Sequence, residues 1–82
     1  MQEEQLLERI ALNPRVMTGK PVIRRTRLAV EYVLNLLAHS RREEGILQEY
    51  DGLTHEDIQA CLLLAAQSLQ STLFMPLALE TA

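Results

Sequence analysis

The chain has one cysteine, Cys61, no tryptophan, and only three aromatic residues, Tyr32, Tyr50 and Phe74. A lone cysteine excludes an intramolecular disulfide and any zinc site built from cysteines of this chain alone. That usage fits a reducing compartment. With so few rings, a core must be assembled from Leu, Ile, Val and Ala, the usual material of packed helices. Long apolar runs are missing too: the run through Cys61–Ala66 is far too short to cross a bilayer. No membrane partner is expected. The opening Met1-Gln2-Glu3-Glu4-Gln5 is polar and acidic, so it does not read as a secretory signal, and a cytoplasmic location is expected.

A further absence concerns charge of one sign. After Arg42 there is no Lys or Arg. All eight basic residues lie between Arg9 and Arg42, a stretch whose only acid is Glu31. From Glu43 onward every charged residue is an acid, and the first eight residues add Glu3, Glu4 and Glu8. The net charge of -3 therefore hides two oppositely charged regions. Such segregation points to two surfaces with different partners, or to one surface that meets its opposite in a dimer. At 82 residues the chain forms one domain, 1–82, and a domain this small buries little surface per residue. Many such domains gain stability from a second copy or a partner.

Along the chain, residues 3–8 allow only a short, marginal helix. Asn13-Pro14 and Gly19-Lys20-Pro21 punctuate a strand and turn region at 9–30, with β-branched residues at Val22-Ile23 and Thr26. The Ile10 region is expected to pair with the Leu28 region. A three-helix region follows at 30–69. Val30, Val33, Leu34 and Leu37 have the spacing of one helix face. Ser40 with Glu43 reads as a capping box for a second helix carrying Ile46, Leu47 and Tyr50, and Gly52 suits a left-handed helix end. Thr54 reads as the cap of a third helix, with Glu56 and Asp57 in its first turn. Ile58, Cys61, Leu62, Ala65 and Leu69 mark its core stripe. Leu63, Leu64 and Ala66 lie off that stripe, so this helix is apolar around much of its girth. That excess makes Leu62, Leu63, Leu64 and Ala66 the candidate homodimer interface. In the tail, 70–82, the group Leu73, Phe74, Met75 and Leu77 is the candidate partner-binding element, with Pro76 blocking a continuous helix.

From Arg9 to about Leu77 the sequence resembles the bacterial family called domain of unknown function 433. The resemblance rests on Asn13-Pro14, Gly19-Lys20-Pro21-Val22-Ile23-Arg24, Thr26-Arg27-Leu28, Leu36-Leu37-Ala38, Ile46-Leu47, Glu49-Tyr50, Gly52-Leu53-Thr54 and Glu56-Asp57-Ile58. It implies a mainly α fold, in which a short N-terminal strand region precedes a three-helix, homeodomain-like helix-turn-helix bundle. It also implies an antitoxin-like role against a PIN-like ribonuclease toxin. The chain departs from the family pattern at Arg25, where glycine is usual, and at Ser40-Arg41-Arg42, where Gly, any residue, then Ser or Thr is usual. If the glycine preceding Thr26 adopts positive φ, either Arg25 carries a backbone cost or the turn differs here.

Catalysis finds little support. Gly19-Lys20-Pro21 lacks the remainder of a phosphate-binding loop. His39, His55 and Cys61 show no zinc spacing. The paired acids at 43–44 and 56–57 are explained by helix first turns. No metal and no cofactor is expected. For DNA, the third helix has no Lys or Arg and opens with two acids, so operator contacts are expected instead from Lys20, Arg24, Arg25 and Arg27, with His55 and Gln59 secondary. The alternative is that these basic residues brace acids on the helices or on a second subunit. The runner-up to the antitoxin-like reading is a DNA-binding homodimeric regulator, and a third is an orphan interaction module.

Overall fold

The computed structural model describes residues 2–12, 15 and 19–70. Asn13-Pro14 and the tail elements Leu73, Phe74, Met75 and Leu77 lie outside the described residues. Four helices and one small sheet follow in the order α1 (Glu3–Leu7), β1 (Ile10–Leu12), β2 (Pro21–Ile23), α2 (Val30–Ala38), α3 (Glu43–Glu49) and α4 (His55–Gln70). The fold is thus mostly helical with a two-stranded antiparallel sheet.

The strand pairing differs from the expectation. Ile10 pairs with Ile23 and Leu12 with Pro21, so β1 meets the Val22 region rather than the Leu28 region. The Leu28 region reaches the sheet by an isolated bridge between Val22 and Ala29, and by a 3.0 Å bond from the Ile23 N–H to the Leu28 carbonyl. A tight turn between Ile23 and Leu28 forces this arrangement: the chain reverses on β2 and leaves directly into α2.

The core gathers Ile23, Val30, Val33, Ile46, Leu53, Ile58 and Cys61, with Ile10, Leu34, Leu37 and Leu64 among the side chains leaning on it. Helical spacing from Val30 correctly located the inner face of α2. On α4 the buried residues are Asp57, Ile58, Ala60 and Cys61, whereas Leu62 and Leu69 are 49% and 58% exposed. The expected stripe therefore holds at Ile58 and Cys61, which are fully buried, and fails at Leu62 and Leu69; the core-facing line runs through Ile58, Cys61 and Leu64, with the acid Asp57 buried beside it.

The ends of α2 and α3 correct a second expectation. Ser40 does not cap α3, whose N-cap residue is Arg42, with no side-chain cap bond. Instead Ser40 has φ 69° and terminates α2. The Arg41 N–H donates to the Leu36 carbonyl at 3.1 Å, and the Ser40 N–H to that of Leu37 at 3.2 Å. These are the two bonds of a Schellman motif, whose left-handed position normally holds glycine. Gly52 also has positive φ, 87°, but in the turn at 50–53, where the Leu53 N–H donates to the Tyr50 carbonyl at 3.3 Å; α3 itself ends at Glu49 with an extended C-cap residue, Tyr50. No helix among the described residues is long and apolar enough to cross a membrane.

Candidate functional site: an arginine turn and the cleft beneath it

The site is built on the turn that closes β2. The Thr26 N–H donates to the Ile23 carbonyl at 3.1 Å, which makes 23–26 a hydrogen-bonded β-turn. Arg25 stands at its third position with φ 66°. A non-glycine side chain in that region costs roughly 1–2 kcal/mol. Thr26 holds the turn in place: its hydroxyl donates to the Ile23 carbonyl at 2.8 Å and accepts from the Leu28 N–H at 3.1 Å. The Arg24 N–H donates to the Arg9 carbonyl at 2.8 Å, and the Arg24 Nε donates to the Glu8 carbonyl.

Of the four basic candidates, Lys20 braces an acid, Glu31, at 2.7 Å. Arg24 is tied by one nitrogen to backbone. Arg25 and Arg27 are exposed, and neither has a side-chain partner among the described residues. The bracing alternative therefore applies to Lys20 and to two arginines outside the candidate set, Arg9 with Asp57 and Arg41 with Glu49. It does not apply to the tip of the turn.

Arg9 is the residue that sequence reading missed. Its Nη1 donates to Asp57 Oδ1 at 3.1 Å and to Thr54 Oγ1 at 3.4 Å, joining the start of β1 to the start of α4. Asp57 is only 5% exposed and its other oxygen accepts from the Thr54 N–H at 3.0 Å. The Asp57 N–H donates to Thr54 Oγ1 at 3.2 Å. Thr54 and Asp57 thus form the reciprocal cap that the sequence suggested only in part. No local pattern links Arg9 to an acid 48 residues away. Between α1, the turn and the start of α4 lies a cleft of about 560 Å³, whose walls include Gln5, Arg9, Arg24, Arg25, Thr54 and Asp57.

The remaining candidates separate. His39 sits at the C-cap of α2 with Nδ1 at 2.7 Å from the Asn35 carbonyl, a structural contact. His55 bonds Glu43 across the start of α3 and α4, and that bond raises the imidazole pKa above its ordinary value. The OH groups of Tyr32 and Tyr50 bond each other, which with burial pushes Tyr50 up to about 12. Cys61 is fully buried, and burial pushes its thiol up to about 12, so it is an inert core residue. Among the described residues no group of three or more His, Cys, Asp or Glu could hold a metal ion. The dimer candidates divide between two faces of α4. Leu64 packs against the core and Leu63 is half-buried, while Leu62 and Ala66 face outward. Leu69 joins them.

The family model described as Protein of unknown function (DUF433) matches residues 10–65. The chain belongs to this family. A crystal structure of a DUF433 member from Anabaena variabilis superposes with a TM-score of 0.73 and 28% sequence identity. The match covers 82% of this chain and 66% of that one, so this chain spans just under two thirds of its relative's length. No curated protein matches the chain. The matched segment of this DUF433 member contains Arg9's neighbour Ile10, the whole arginine turn and most of α4, and it ends before Leu69.

Proposed function

We propose that this DUF433 protein is an antitoxin-like binding protein, without catalytic activity of its own, that contacts operator DNA through the turn at 24–27. The observation that carries this reading is the condition of Arg25: exposed, unpartnered among the described residues, and held at φ 66°. Strained residues persist where the surroundings over-determine them, and they cluster at functional sites. Phosphate attraction supplies most of the affinity of a protein for nucleic acid. A homeodomain-like docking would place α4 in the major groove, but α4 carries no Lys or Arg and opens with Glu56 and Asp57. The turn and its two-stranded ribbon are the better donors. His55 and Gln59, both exposed, remain secondary.

The test is equilibrium binding to duplex DNA from upstream of the protein's own reading frame, at several salt concentrations. Replacing Arg24, Arg25 and Arg27 together by Ala should weaken binding by at least about tenfold and flatten the salt slope by roughly one unit per lost phosphate contact. Unchanged affinity with an unchanged slope overturns the reading.

A protein partner is a second reading, favoured by one face of α4. Gln59, Leu62, Ala66 and Leu69 are all exposed, at spacings of three, four and three residues. That is the seam spacing by which two helices pack. No charged residue falls between Ile58 and Gln70. A second copy of this chain, or the PIN-like ribonuclease implied by the family resemblance, would cover it. For the homodimer, Leu62→Glu with Leu69→Glu should reduce the scattering mass to that of the 9.3 kDa monomer. Wild-type protein that scatters as a monomer throughout the micromolar range excludes the homodimer.

A further inference from the structure

The cleft beneath the turn has more donor capacity than its protein contacts use. Arg9 spends Nη1 on Asp57 and Thr54, leaving Nε and Nη2 without a partner among the described residues. Arg24 spends Nε on the Glu8 carbonyl, leaving both terminal nitrogens. Arg25 spends none. Three guanidinium groups with open N–H donors therefore line one cleft of about 560 Å³. Planar forks of this kind match the oxygens of phosphate better than a point charge does. A phosphodiester's two unesterified oxygens are set tetrahedrally, with two weaker ester acceptors beside them, so forks can approach from several directions, whereas a carboxylate's two oxygens lie in one plane.

The charge of the cleft selects among phosphates. Glu8 and Asp57 also line it, so three cations face two carboxylates and one positive charge is left over. A phosphodiester carries one negative charge. A free phosphate or phosphomonoester carries roughly 1.5 to 2 at neutral pH, and its excess would meet the two carboxylates. We infer that the cleft seats a single phosphodiester of a nucleic-acid backbone, held by Arg9, Arg24 and Arg25. This inference rests on the nucleic-acid reading above and adds Arg9 to the contact set. It also gives the strain at Arg25 a purpose, since the left-handed turn keeps that guanidinium at the cleft mouth.

The test uses the full chain and a fluorescein-labelled random-sequence duplex of about 20 base pairs, followed by anisotropy at several salt concentrations. Arg25→Asn removes the guanidinium while keeping a residue that tolerates the left-handed region. It should weaken binding at least about fivefold and flatten the salt slope by about one unit. Arg42→Ala, an exposed arginine outside the cleft, should stay within about twofold of wild type. Inorganic phosphate at millimolar concentration should compete no better than chloride of matched ionic strength. If Arg27→Ala weakens binding and Arg25→Asn does not, the cleft assignment is overturned while the turn remains a nucleic-acid surface. If neither variant weakens binding, or wild type does not bind, both readings fall. If inorganic phosphate displaces the duplex or raises the melting temperature at submillimolar concentration, the site takes free phosphate and the phosphodiester assignment is wrong.

Discussion

Among the described residues, two short connections hold a non-glycine residue in the left-handed region, Arg25 in the turn after β2 and Ser40 in the link from α2 to α3. Their φ values, 66° and 69°, are nearly the same, but their surroundings are not. Ser40 is exposed and is fixed by backbone bonds alone, the ordinary end of a helix. Arg25 sits in a turn pinned by the Thr26 hydroxyl, by Arg24 bonding the Glu8 carbonyl, and by the Arg24 N–H on the carbonyl of Arg9, whose side chain is itself held by Asp57. A similar strain is thus incidental at one place and heavily supported at the other. Support of that kind is what a side chain with work to do at the cleft would need.

The largest effect should come from the support itself. Asp57→Ala removes the carboxylate half of the reciprocal α4 cap and leaves Arg9 without its acid, and should lower stability by about 2–3 kcal/mol in denaturant titration. In a domain this small that is a large part of the total. A loss below about 0.5 kcal/mol would mean the Arg9 bridge contributes little. Gly45→Ala probes the link region from its other side. A Cβ at Gly45 meets nothing within 4 Å, so alanine in α3 should add about 0.5–1 kcal/mol without touching the cleft. Ser40→Gly should add about 0.5 kcal/mol, a rise of roughly 2–4 °C in melting temperature, with duplex binding unchanged.

The smallest effect is a pH dependence across the start of α3 and α4. The Glu43 bond raises the His55 pKa above its ordinary value. A raised histidine contributes stability that is fully present below its unfolded pKa and fades as pH rises through its folded pKa. The melting temperature of wild type should therefore fall slightly from about pH 6 upward relative to that of His55→Gln. Parallel curves would show that the pair is too solvated to matter.

The sequence made much of the helical frame legible, because apolar spacing and caps are local signals. Val30 and Val33 mark the inner face of α2, Gly52 marks the turn that follows α3, and Thr54 marks where α4 begins. The resemblance also pointed to the backbone cost at Arg25, which its φ bears out. What stayed hidden was set by distant partners. Ile10 pairs with Ile23 and not with Leu28, a choice that three short apolar segments without periodicity do not encode locally. Ser40 looked like a cap because Glu43 follows at the right distance, yet the chain uses it to stop α2. On α4 Ile58 and Cys61 lie inward as the apolar spacing implies, Leu62 and Leu69 turn outward, and the acid Asp57 takes a buried position. Arg9, the residue that makes that position tolerable, carries no motif at all.

The measurement closest to the central claim sets Arg25→Gly beside Ser40→Gly, recording melting temperature and duplex affinity for each. Both glycines relieve a left-handed residue, so both melting temperatures should rise by a few degrees. Only Arg25→Gly should lose duplex affinity, by about fivefold or more, with a flatter salt slope. Equal retention of affinity in both variants would contradict the claim that Arg25 is held in strain for the sake of a phosphate contact.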